Sequence, residues 1–143
     1  MKKEESDKLS ESSNHSYLVN SIISWINSTQ EDEIYIIFSD TYTQSIRNIP
    51  PAIKGYIPDI YAVSTKNNKF IIGEAKTYSD VETRHSCEQY KAFLNYCANQ
   101  SNSFFVLAVP WTMINAAKGL IKYLKNSTAT QKAKVIFLED LPE

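Results

Sequence analysis

The sequence predicts one α/β domain with a central mixed sheet flanked by helices. Apolar residues switch between helical and strand spacing in the order helix, three strands, helix, strand, helix, strand. Two strand-like runs in mid-chain are separated only by polar turn residues, and 143 residues is the usual size of one hydrophobic core. An apolar fraction of 43% and a charged fraction of 22% are ordinary for a globular chain. No run approaches the roughly 18 apolar residues of a membrane span. The N-terminus is polar and charged, unlike a signal sequence, so a cytoplasmic location without a membrane partner is expected.

Residues 1–12, rich in Lys, Glu and Ser, lack apolar periodicity and are expected to be a disordered tail before a single domain over 13–143. Leu18, Ile22, Trp25 and Ile26 recur at helical spacing, which predicts a helix over 13–28, and 33–38 reads as a buried strand. Residues 40–56 contain Pro50 and Pro51 and no strong period, the pattern of a long loop. Strands are expected over 59–65 and 69–75, joined at Asn67 and Asn68, residues that tolerate the positive φ of a tight hairpin.

A second helix is expected over 81–98, with Cys87, Tyr90, Phe93, Leu94 and Cys97 as its apolar stripe, then a strand over 104–109 closed by Pro110. A third helix over 111–125 turns Met113, Ala117, Ile121 and Leu124 inward, and 135–138 is a last short strand. Cys87 and Cys97 on one helix are separated by about 15 Å of rise and cannot bridge, so free thiols are expected.

A net charge of −1 gives no global electrostatic footprint for nucleic acid. The acids gather in residues 1–40, however, while 41–76 carries Arg47, Lys54, Lys66, Lys69 and Lys76 against only Asp59 and Glu74. There is no internal repeat, glycine-rich phosphate loop or Cys/His cluster at zinc spacing, which excludes the functions those serve.

A two-residue turn at Asn67 and Asn68 would set Lys66 opposite Lys69, Tyr61 opposite Glu74 and Asp59 opposite Lys76. Residues two apart on a strand share a face, so Asp59, Glu74 and Lys76 converge at one end of the hairpin. Two neighbouring carboxylates raise each other's pKa, a penalty that a divalent cation removes. Magnesium or manganese would take Asp59, Glu74 and the Ala75 carbonyl as oxygen ligands, with Lys76 beside it to orient or deprotonate a water and to offset charge on a phosphorane.

Pro58-Asp59 followed by Glu74-Ala75-Lys76 at the end of the next strand resembles the PD-(D/E)XK nuclease superfamily. The resemblance covers roughly residues 13–110. The stretch GYIPDIYAVSTKNNKFIIGEAK, with Gln89 on the following helix, is most similar to the VRR-NUC and Holliday-junction-resolvase branches. It implies a restriction-endonuclease-like core and a metal-dependent nuclease with Asp59 and Glu74 as ligands, Lys76 as catalytic lysine and Gln89 in the catalytic set. Many relatives add a glutamate on the first helix, where this chain carries Glu11 and His15.

Several of these residues also have ordinary roles. His15 reads first as a surface or capping side chain, and Gln89 flanks its stripe so that it could face the site or solvent. Lys118, Lys122 and Lys125 share a helix face that is usually only solvated. Arg47, Lys54 and Arg84 adjoin the expected site and are the candidates for phosphate-backbone contacts, while Tyr56 and Tyr78 flank it as rings that could stack on a base or cover the core. The expected partner is DNA, with RNA equally compatible at the phosphodiester, and cutting both strands of a duplex calls for two sites, as a homodimer supplies. The competing expectation is a non-catalytic nucleic-acid-binding or assembly subunit that keeps the same fold.

Overall fold

The computed structural model describes residues 2–29, 33–39 and 49–140, and the side chains of 13–28, 33–39 and 49–139. The element order is α1 (Lys2–Thr29), β1 (Tyr35–Ser39), β2 (Ile60–Ser64), β3 (Phe70–Ala75), α2 (Arg84–Ala98), β4 (Ser103–Pro110), a 3-10 turn (Trp111–Met113), α3 (Ile114–Ser127) and β5 (Val135–Asp140). The strands form one five-stranded sheet in the order β1-β2-β3-β4-β5. β1–β2 and β2–β3 are antiparallel, while β3–β4 and β4–β5 are parallel. The parallel pairs are those whose connection carries a helix, since a strand must be carried back across the sheet before it can run the same way again.

Three layers follow from which side chains the strands present to each face. Leu18, Val19, Ile22 and Ile26 of α1 pack on Ile60, Ala62, Ile71, Ala75, Val106 and Ala108. On the opposite face, Tyr90, Phe93, Leu94 and Cys97 of α2 and Ala117, Ile121 and Leu124 of α3 pack on Tyr61, Ile72, Phe105 and Leu107. Central β3 and β4 are covered on both sides, which is why FVLAV in β4 is an unbroken apolar run and not an alternating one. Gly73 lets α1 approach closely: a Cβ there would sit 3.0 Å from Ile22 Cγ2 and 3.1 Å from Ile60 Cβ.

The helix and strand order matches the sequence expectation, while several boundaries move. α1 starts at Lys2 and not at residue 13. Its first residues are rich in strong helix formers, a propensity that apolar periodicity does not register. α2 begins at Arg84 because Thr83 caps it, its hydroxyl accepting from the Ser86 amide at 3.1 Å. In α2, Ser86 is buried and Cys87 only half-buried, which rotates the inward stripe slightly from the expected one. Both cysteines are free.

The hairpin register also differs. Ile60 faces Gly73, Tyr61 faces Ile72 and Val63 faces Phe70, with Ser64 and Lys69 closing the loop through a 2.9 Å amide-to-carbonyl bond. The loop is thus four residues long, not two. The Ser64 hydroxyl accepts from the Lys66 and Asn67 amides, each at 3.3 Å, which starts the turn before Asn67, and only Asn68 adopts a left-handed φ, 52°. Because the slip is two residues, every side chain keeps its expected face. The continued register brings Asp59 opposite Glu74 and not opposite Lys76.

Candidate functional site

Pro58 is buried at the entry to β2, and Asp59 follows it as the chain bends into the strand. The Asp59 amide donates to Glu74 Oε1 at 3.0 Å, and the Ala75 amide donates to Asp59 Oδ2 at 2.8 Å. These two bonds replace the ladder where it stops. Bonded pairs alternate along an antiparallel hairpin, so after Ser64–Lys69 the sequence of bonded positions runs to Pro58–Ala75. Proline has no amide hydrogen, so Pro58 offers the Ala75 carbonyl no ladder bond.

Glu74 is 2% exposed at the end of β3 and Lys76, just beyond it, is 9% exposed. Lys76 Nζ lies 3.3 Å from Glu74 Oε2 and donates to the Gln89 side-chain oxygen on α2. The Lys76 amide bonds the Ala108 carbonyl of β4 at 3.0 Å, which anchors the lysine backbone to the sheet centre. Gln89, left open between site and solvent by its position on the stripe, therefore faces the site. His15 Nε2 on α1 lies 3.2 Å from Asp59 Oδ2, a contact that couples the first helix to the hairpin.

The two carboxyls titrate in opposite directions. Burial raises Glu74 well above its usual value, and the neighbouring Asp59 charge raises it further, against the pull of Lys76. Burial would raise Asp59 as well, but hydrogen bonds from the His15 and Glu74 side chains, together with the His15 charge and the Ala75 amide, outweigh it and hold Asp59 below the ordinary range. His15 is raised, chiefly by its bond to Asp59, with burial working the other way. The pair thus favours one ionised and one protonated carboxyl, the usual outcome when two acids share a small buried volume.

The other expected site residues distribute differently. Lys54 is exposed in a tight turn with φ 51°, followed by Gly55 at φ 88° and closed by the Ile53–Tyr56 bridge. Arg84 is exposed on the first turn of α2. Neither is ion-paired to Asp59 or Glu74. Arg47 lies outside the described residues, as does the side chain of Glu11. Tyr56 packs edge-on against His85 at 5.9 Å and is half-buried, whereas the Tyr78 ring is 67% exposed. Lys118, Lys122 and Lys125 line a groove between α3 and β5, away from the carboxylates.

The oxygens that a hard cation such as magnesium or manganese could take here are those of Asp59, Glu74 and the Ala75 carbonyl. Among the described residues no group of three or more His, Cys, Asp and Glu side chains is arranged to hold a metal ion. His15 lies three, four, seven and eleven residues before Leu18, Val19, Ile22 and Ile26, so helical spacing alone directs it inward at the end of the hairpin. No described helix is long and apolar enough to cross a membrane. Compared with protein-family models, with curated proteins and with solved structures, the chain matches none.

Proposed function

We propose that this chain is a metal-dependent nuclease of the PD-(D/E)XK type with a restriction-endonuclease-like core, hydrolysing phosphodiester bonds in DNA. The observation that carries the reading is the pair of half-buried Asp59 and buried Glu74, joined across the hairpin end by two backbone-to-carboxylate bonds, with Lys76 3.3 Å from Glu74. A structural ion pair needs one acid for one base. Here two adjoining carboxyls, one against Lys76 and one against His15, raise the cost of ionising each other, a cost that a divalent cation would relieve.

Magnesium or manganese bound by Asp59, Glu74 and the Ala75 carbonyl would supply Lewis-acid polarisation of the scissile phosphate. Lys76 would donate to a phosphate oxygen as negative charge accumulates, and its ammonium is held between the Gln89 oxygen and Glu74. His15 orients the Asp59 carboxylate from the far side.

The test is a cleavage panel of single-stranded, duplex, flapped and four-way DNA plus RNA, with and without manganese, run beside calorimetric titration of the metal. Metal-dependent cleavage that disappears in Asp59→Ala, Glu74→Ala and Lys76→Ala supports the reading. Cleavage that persists in all three overturns it, and an absence of saturable metal binding assigns the chain instead to the non-catalytic subunits.

A further inference from the structure

Next to the carboxylate site is a groove of about 310 Å³ that no part of the proposed chemistry uses. Asn14 and Leu18 of α1 form one wall, Thr77 and Tyr78 after β3 the second, and Trp111 and Thr112 after β4 the third. Two of these residues are chain neighbours of the site itself: Asn14 precedes His15, and Thr77 follows Lys76. The groove and the carboxylates therefore share two backbones at the same end of the sheet.

Tyr78 is 67% exposed and Trp111 48% exposed, and each sits on backbone fixed by local hydrogen bonds or a helical turn. The turn that carries Tyr78 is closed by the Asp80 amide bonding the Thr77 carbonyl at 2.9 Å, and it ends on the fully buried Val81, whose carbonyl accepts from Tyr90 at 2.8 Å. Trp111 opens a 3-10 turn directly after Pro110, at the end of the central strand β4. Leu18, 2% exposed, provides an apolar floor, and Asn14, Thr77 and Thr112 provide hydrogen-bonding groups around it.

Resting on the nuclease reading, we infer that this groove is a stacking subsite for an unpaired nucleobase adjoining the scissile phosphate. A base has an apolar face and a polar edge, and the groove offers aromatic faces with a polar margin. Rings on fixed backbone lose little freedom on stacking, since only two side-chain torsions remain to be ordered. A paired base has its faces covered by its neighbours in the duplex, so the subsite favours single-stranded, frayed or flapped substrate over uninterrupted duplex.

The test uses the full chain in EDTA, so that binding is read without cleavage. The probes are a short oligothymidine, the same strand with abasic positions, and a blunt duplex. In a Trp25→Phe background, oligothymidine is expected to quench the emission of Trp111. Tyr78→Ala and Trp111→Ala should each weaken oligothymidine binding roughly tenfold, the abasic strand should bind weaker by a similar factor, and Trp111→Phe should retain most of the affinity. Duplex affinity should not change in any variant.

Equal binding of abasic and base-bearing strands overturns the inference, as do unaltered affinities in both alanine variants. Quenching by an aromatic peptide but not by oligothymidine overturns it too, and assigns the groove to a protein partner. The outcomes separate from those of the nuclease reading. Metal-dependent duplex cleavage with base-independent binding removes only the subsite, whereas base-dependent quenching in a chain that cleaves nothing keeps the subsite and removes hydrolysis.

Discussion

Strand β3 is flanked by a lysine at each end, and the two ends differ in what those lysines meet. At the start, Lys69 faces a single acid, Glu33, at 2.7 Å. The lysine draws the Glu33 carboxyl down to about 2 against the opposing effect of desolvation. At the finish, Lys76 faces Glu74 beside Asp59, and the carboxyls move apart, Glu74 upward and Asp59 downward. One acid with one base is a balanced pair that fixes where the chain runs. Two adjoining acids, with Lys76 against one and His15 against the other, do not resolve into a single pair, and the repulsion that drives their carboxyls apart separates a candidate site from a structural contact built of the same residue types.

The same substitution at both ends tests the difference most severely. Lys76→Met keeps most of the side-chain volume and should lower kcat for metal-dependent cleavage by about 10³-fold or more, while Lys69→Met should leave kcat unchanged. Comparable losses in the two variants, read by steady-state cleavage with folding checked by circular dichroism, would break the comparison.

Gly73→Ala should destabilise the protein by about 1–3 kcal/mol in urea unfolding, because the new methyl must displace Ile22 or Ile60 from contacts at 3.0 and 3.1 Å. The same change should lower cleavage, since α1 carries His15 to Asp59. A neutral result in both measurements would mean that α1 yields at no cost and that its seat on β3 does not position the site.

Glu74→Gln should raise the melting temperature of the metal-free protein at pH 8 by about 3 °C or more. The folded Glu74 carboxyl keeps its proton to higher pH than the unfolded one, so the parent loses stability as pH rises beyond the unfolded value of 4.5, whereas glutamine has no proton to lose. The advantage of the variant should therefore grow with pH. Manganese should stabilise the parent and not the variant, and a variant less stable than the parent at every pH would contradict a cost of ionising Glu74 in the folded protein.

The smallest effect belongs to the balanced end. The depressed Glu33 carboxyl contributes stability that is fully present above 4.5 and lost as pH falls toward about 2. Lys69→Met should flatten that acid limb and leave the neutral plateau nearly level, as read by thermal unfolding across the same pH range.

The pattern of elements was legible because apolar spacing is a strong signal, and α2, β4 and α3 came within a few residues of their observed limits. The start of α1 was not, because its first residues are helical through propensity, without an apolar stripe. The four-residue hairpin loop was hidden for a different reason: its geometry depends on the Ser64 hydroxyl, a side-chain bond that a turn rule based on asparagine does not include. That Asp59, Glu74 and Lys76 lie together was legible from the hairpin, and the facing of Gln89 was left open; the nearness of Trp111 and Asn14 was not legible, since they approach from elements distant in sequence. His15 was within reach of the same helical arithmetic that identified Leu18 and Ile22.

The even slip in the hairpin has a consequence for how such a chain can change. The pairing of β2 with β3 decides which side chains point at α1 and which at α2, so residues added to the loop between Ser64 and Lys69 are absorbed there and leave Asp59 beside Glu74. A slip of the pairing itself is different: by two residues it keeps every face, whereas by one it inverts the strand and drives Glu74 into the apolar seat of Ala75 and Gly73.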